Sequence, residues 1–154
     1  MTNLEYARLL INDKDQNNLI FSDTELQEII SLNSEVKVVE AEPKSLDKTL
    51  WQIPFRHLDE TYTEKIYNEY EEELSGTVDK VTGEITLDTA YDGYVFVQAK
   101  IVHWNDIQAD CFEMIATDIR RWNSYSAGGL SETFSKAELL AVARNLRSPR
   151  GAEL

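Results

Sequence analysis

Apolar positions along this chain recur first at helical spacing, then at strand spacing, then at helical spacing again. Leu4, Ala7, Leu10 and Ile11 share one face of a helix from about Asn3 to Ile11, which stops at the polar, turn-forming stretch Asn12 to Asn18. Leu26, Ile29 and Ile30 predict a second helix from Asp23 to about Leu32. The longest stripe is Ile107, Cys111, Met114, Ile115, Ile119 and Trp122. Its three- and four-residue steps predict one helix from about Asn105 to Trp122, about 27 Å long. Leu139, Leu140, Val142, Ala143 and Leu146 predict a last helix from Lys136 to about Leu146, ending before Pro149 and Gly151.

Three of these helices begin with the same chemistry. Thr2 to Glu5, Ser22 to Glu25 and Ser135 to Glu138 have the form S/T-x-x-E, in which the hydroxyl covers one orphan amide and the glutamate covers the cap's own amide. Phe21 before Ser22 and Phe134 before Ser135 are placed to pack on Leu26 and Leu139, four residues into their helices. Ser22, Glu25, Ser135 and Glu138 are therefore assigned as structural caps.

Between the second and third helices the period falls towards two. Val36 to Val39 and Leu50 to Ile53 predict short strands, with Pro54 pushing the latter towards a sheet edge. Thr77 to Val81 and Glu84 to Leu87 flank Thr82-Gly83, which reads as a two-residue hairpin turn. Tyr94 to Val102 predicts a longer strand with Tyr94, Phe96 and Gln98 on one side. Ile66, Tyr70 and Leu74 lie four apart, so Asp59 to Leu74 reads as an acidic helix. The expected fold is α+β: a small, mainly α-helical bundle of about four helices, with a β-rich insertion at 35–102 between helices 2 and 3. One domain spans residues 1–154.

Composition narrows the function. The hydrophobic fraction of 42% with 10% aromatics suits a globular chain that buries its own core. The formal charge is −13. That speaks against affinity for DNA phosphates or anionic lipid, both of which need clustered Lys and Arg. From Asp59 to Asp92 eleven acids face only Lys65 and Lys80, a net of −9, whereas from Arg120 onward six bases meet three acids, a net of +3. Two differently charged surfaces are expected. No apolar run is long enough to span a membrane, and the opening residues have neither the basic nor the apolar region of a secretory signal. The lone Cys111 leaves no internal disulfide to form and fits a reducing compartment.

Candidate chemistry is sparse. There is no Gly-rich phosphate loop, no G-x-S-x-G and no H-E-x-x-H, and Gly128-Gly129 lacks a preceding strand and a phosphate-gripping Lys. Cys111 sits on an apolar stripe and reads as a packed thiol rather than a nucleophile. His57 with Asp59 and Glu60 is a thin metal set, and His103 is distant in sequence. Trp51, Trp104 and Trp122 read as core or interface residues, since no basic groove accompanies them. The expectation is a protein that is not an enzyme and carries no metal or cofactor.

The helical segments carry a resemblance. Ala7 to Asp13, a polar gap, and Leu19-Ile20-Phe21-Ser22-Asp23-Thr24-Glu25-Leu26 resemble the opening of siphophage head–tail connector (adaptor) proteins, where a helix ending in an Ile-x-Asp turn precedes a Phe-Ser-Asp-x-Glu-Leu start. Ile119-Arg120-Arg121-Trp122 leading into Tyr125-Ser126-Ala127-Gly128-Gly129-Leu130-Ser131, then a final helix to Leu146-Arg147, is similar to the family's last two helices and the Gly-Gly loop joining them. The match covers the two ends of the chain; the segment Glu35 to Val102 is the departure. The resemblance implies a structural protein of the virion neck, made in the host bacterial cytoplasm. It would form a homo-oligomeric ring of about twelve subunits beneath the portal protein, from subunits that are monomeric before assembly. The ring would extend the channel for double-stranded DNA without sequence-specific binding and offer a platform to a stopper or tail-completion protein. It also implies portal binding through Lys136 to Leu154, with Arg144, Arg147 and Arg150 as polar anchors. Glu69, Glu71, Glu72, Glu73, Asp79 and Glu84 would then either line the channel, repelling phosphates, or face solvent on an outer rim.

Two further readings compete. An acidic DNA mimic or inhibitor of a nucleic-acid enzyme would place carboxylates at phosphate-like spacing on one face. A small enzyme would need a deep pocket with convergent titratable groups.

Overall fold

The computed structural model describes residues 1–127 and 135–147. The chain forms two compact units: Met1–Asn33 joins the residues from His103 onward in one, and Ser34–Val102 makes the other. Among the described residues there are five helices and seven strands. The expected small, mainly α-helical bundle with a β-rich insertion is therefore corrected. The strands build a seven-stranded antiparallel, nearly closed sheet with a core of its own, in place of an appendage to a helical domain.

In the first unit, α1 (Asn3–Ile11) and α2 (Asp23–Leu32) both start with complete capping boxes. Thr2 Oγ1 accepts the Glu5 amide at 3.1 Å while Glu5 accepts the Thr2 amide, and Ser22 and Glu25 do the same. α1 ends at Asn12, whose left-handed φ of 57° is tolerable for Asn. α3 (Trp104–Thr117) buries Ile107, Cys111 and Ile115 and packs against α1, α2, α4 (Ile119–Ala127) and α5 (Lys136–Leu146). At the start of α5 the Ser135 hydroxyl accepts the Glu138 amide at 3.2 Å; Phe134 lies outside the described residues.

The helix expected from Asn105 to Trp122 is two helices. Asp118 breaks it with extended φ and ψ of −110° and 118°, and its Oδ1 accepts the amides of Arg120 and Arg121 to start α4. A short acceptor side chain with free amides ahead of it competes well with the helical backbone. Ile119, expected on the buried stripe, is 71% exposed as a result.

In the second unit the strands are β1 (Ser34–Pro43), β2 (Leu50–Gln52), β3 (Lys65–Asn68), β4 (Glu73–Leu74), β5 (Gly76–Val78), β6 (Glu84–Leu87) and β7 (Val95–Val102), ordered β4-β3-β7-β1-β2-β6-β5. β1 pairs with β7 from Ser34↔Val102 to Ala41↔Val95, then turns onto β2 at Glu42↔Gln52. The two edge strands, β4 and β5, are consecutive in the chain with only Ser75 between them. The backbone thus steps from one edge of the sheet to the other, which requires the sheet to curl until its edges nearly meet. At that seam a Cβ on Gly76 would lie 2.5 Å from the Thr86 carbonyl oxygen, so only glycine lets β5 and β6 approach. Val95, Val97, Ala99 and Ile101 point inward, all fully buried, onto Trp51, Ile53, Ile66 and Ile85.

Three local expectations change here. The acidic helix at Asp59 to Leu74 is a hairpin: Ile66 and Leu74 stand opposite each other on β3 and β4, and Tyr70 sits in the turn. Cross-strand partners eight residues apart mimic a four-residue spacing. Leu50–Gln52 is an interior strand between β1 and β6, because Pro54 falls beyond its last residue. The β5–β6 connection is a loop from Asp79 to Gly83, closed by Asp79 Oδ1 on the amides of Val81 and Thr82 and by Gly83 at φ 75°.

Candidate functional site

In the helical unit the two stretches that carry the family resemblance meet at Phe21. Arg8 and Asp13, both buried, form an ion pair at 2.8 Å across the α1–α2 turn. Arg8 also donates to the Phe21 carbonyl at 3.1 Å and to Asp23 at 2.6 Å. The Asp13 carboxylate accepts the amides of Ile20 at 2.8 Å and Phe21 at 3.1 Å, so it replaces the backbone partners this turn lacks. From the other half of the chain, Arg121 lays its guanidinium 4.5 Å from the Phe21 ring centre, donates to the Ile20 carbonyl at 3.0 Å and pairs with Glu25. The hydrogen bond from Arg121 holds the Glu25 carboxyl at about 2, well below its ordinary 4.5. Glu25 thus serves both as helix cap and as anchor for α4.

On α3, Asp110 and Glu113 clasp Arg147 from the end of α5, at 2.7 and 2.5 Å. Of the three arginines expected to anchor the portal, Arg147 is thus engaged within the subunit, Arg144 is exposed on α5, and Arg150 lies outside the described residues. The same two acids, with Glu25 and Glu28, rim a groove of about 520 Å³ between α2 and α3 whose apolar lining is Ile29, Leu32 and Met114. Leu32 is 83% exposed.

The six acids expected to act together divide between two turns. Glu71, Glu72 and Glu73 are exposed at the β3–β4 turn, where Asn68 Oδ1 accepts the amides of Tyr70 and Glu72 and Glu71 adopts φ 63°. Glu69, beside them, accepts the Tyr91 hydroxyl at 2.5 Å and the Tyr94 amide at 2.7 Å. That hydroxyl bond pulls the Glu69 carboxyl down and pushes the Tyr91 phenol up to about 12. Asp79 and Glu84 belong to the other turn: Asp79 caps the β5–β6 loop and Glu84 pairs with Lys44 at 2.6 Å.

Burial pushes the Cys111 thiol up to about 12, so it is held as a neutral, packed group. No group of three or more His, Cys, Asp or Glu among the described residues is arranged to hold a metal ion. No helix among them is long and apolar enough to cross a membrane. Sequence reasoning missed the Arg8–Asp13 pair and the role of Arg121. The available signal was Arg8, which shares the helix face of Leu4, Ala7 and Ile11, where an unpaired charge is costly. No family model, curated protein or solved structure matches the chain.

Proposed function

We propose that this protein is a structural subunit of a tailed-phage neck, a head–tail connector that assembles as a ring below the portal and gives the stopper and tail a docking platform. One observation carries the reading. The two motif stretches on which the family resemblance rests, about a hundred residues apart in sequence, converge through Arg8, Asp13, Phe21, Glu25 and Arg121 into one structural knot. Residues shared with a family because they build its scaffold are expected to converge in this way.

Two features agree with it. A ring subunit needs two unlike faces that fit each other head to tail. Glu28 at the α2–α3 groove, whose other three acids pair with Arg121 and Arg147, and the exposed cations Arg120, Lys136 and Arg144 are unlike in charge. The acids of the β3–β4 turn, Glu71, Glu72 and Glu73, would keep phosphates from adhering wherever DNA passes near them. A DNA mimic fits less well, because the six acids occupy two separate turns and Glu69, Asp79 and Glu84 already serve internal bonds.

The test is to silence the gene in its native genome and image the particles. The connector reading expects separate tails beside tailless heads that have lost their DNA. Complete, infectious virions would overturn it and favour the inhibitor reading.

A further inference from the structure

The groove between α2 and α3 has an apolar floor of Ile29, Leu32 and Met114. α2 already buries Leu26 and Ile30 in the core, so Leu32, at 83% exposure, is apolar surface beyond what the core uses. Four acids rim the groove: Glu25, Glu28, Asp110 and Glu113. Arg121 pairs with Glu25, and Arg147 pairs with Asp110 and Glu113. Four carboxylates thus meet two guanidinium groups, leaving a net of −2, and the exposed Glu28 enters no ion pair among the described residues. The groove therefore suits a short segment that brings one cation and one large apolar side chain.

The chain itself carries such a segment to the rim. Arg147 caps α5 with extended φ and ψ of −64° and 135°, and its guanidinium lies 2.7 Å from Asp110 and 2.5 Å from Glu113. Residues 148–154, outside the described residues, follow it with the sequence Ser148-Pro149-Arg150-Gly151-Ala152-Glu153-Leu154. Pro149 disfavours a helical Ser148, so the sequence directs the chain away from α5. Seven residues reach up to about 23 Å. The groove from Asp110 to Thr117 runs about 10 Å along α3, well inside that reach. Glu28 and Leu32 are one turn apart on α2, about 6 Å, a step that the four residues from Arg150 to Leu154 span. Tethering at the rim supplies an effective concentration in the millimolar range, so a weak contact is enough to fill the groove.

We infer that residues 148–154 cover the α2–α3 groove of their own chain, with Arg150 on Glu28 and Leu154 on Ile29, Leu32 and Met114. The contact is intramolecular and stands apart from the connector reading. Where the groove also receives a neighbour's cations, the segment keeps that face closed in the free subunit.

Oxidation of the full chain by hydrogen peroxide, followed at each methionine by mass spectrometry, tests it. The chain has two methionines: Met114 lines the groove, and Met1, 69% exposed, is the internal reference. Oxidation follows the exposure of the sulfur, so Met114 should be protected in the wild type. Ending the chain at Arg147, or Leu154→Asp in the full chain, should each speed Met114 oxidation by about threefold or more while leaving Met1 unchanged. Glu28→Lys, which repels Arg150, should do so by a smaller factor. Unchanged circular dichroism would show that the variants fold. The protection should survive a hundredfold dilution. Equal Met114 rates with and without residues 148–154 overturn the inference. So does a rate raised by the truncation but not by Leu154→Asp, since the new end then acts through Arg147. Protection lost on dilution also overturns it, since the segment then comes from another copy.

Discussion

Replacing Asp13 by alanine attacks the point on which the helical unit is hung. The Asp13 side chain is 1% exposed and satisfies three donors: the Arg8 guanidinium and the amides of Ile20 and Phe21. Removing one partner of a buried ion pair costs about 3–5 kcal/mol, and each stranded buried amide costs about 1–3 kcal/mol more. These losses share one network and do not add, and Arg8 keeps Asp23 and the Phe21 carbonyl, so we expect a net loss of about 5 kcal/mol. With a urea slope of about 2 kcal/mol per molar, the midpoint should fall by roughly 2–3 M. A Trp51→Phe background leaves emission to Trp104 and Trp122, both in the helical unit, and so isolates the transition of interest. Arg8→Met should cost less, because Asp13 retains both amides when the arginine is gone. A loss below about 1 kcal/mol for Asp13→Ala, or a larger loss for Arg8→Met, would refute the view that this carboxylate replaces the missing backbone partners of the turn.

Arg121→Met should reduce the acid sensitivity of the helical unit. The Glu25 carboxyl is lowered in the folded chain from 4.5 to about 2, so its stabilisation is complete above pH 4.5 and lost as pH falls towards 2. Urea midpoints between pH 5 and 2 should slope less in the variant; the change should be modest, because the Glu25 side chain is 40% exposed and the Ser22 amide bond remains. Gly76→Ala should destabilise the barrel by about 1–3 kcal/mol, read from Trp51 emission in urea, because the new methyl meets the backbone of β6 and not a movable side chain. Cys111 should resist a thiol-specific disulfide reagent at pH 8 in the native protein and react fully once unfolded; rapid native labelling would contradict its burial.

How much of this molecule is legible in its sequence follows from the distance over which each feature is decided. The starts of α1 and α2 are decided within four residues, since Thr2 with Glu5 and Ser22 with Glu25 supply both halves of each box. The break at Asp118 is equally local but ambiguous. The apolar stripe continues through it to Trp122, and only the bonds from Asp118 to the amides of Arg120 and Arg121 show that the capping option wins over helix continuation. The barrel is decided at long range. β2 to β6 carry two to four residues each, too few for a period to declare itself, and their partners are set by closure of the sheet. Ile66 and Leu74 illustrate the failure: their spacing fits a helix face and a hairpin pair equally, and the choice falls to Val97, which pairs with Ile66 from thirty-one residues away.

The candidate site follows the same rule. Arg144 and the Glu71–Glu73 run are exposed where a sequence reading would put them, but Arg147, Glu69 and Glu84 are taken up by partners that no local pattern reveals. Charge counted along a chain therefore overstates the charge a surface can offer. Of the nine residues expected to anchor or repel, four, Glu69, Asp79, Glu84 and Arg147, are held by side-chain bonds within their own unit, and Arg150 lies outside the described residues. What remains free to act on a partner is a smaller set, and the helical unit and the barrel each hold part of it.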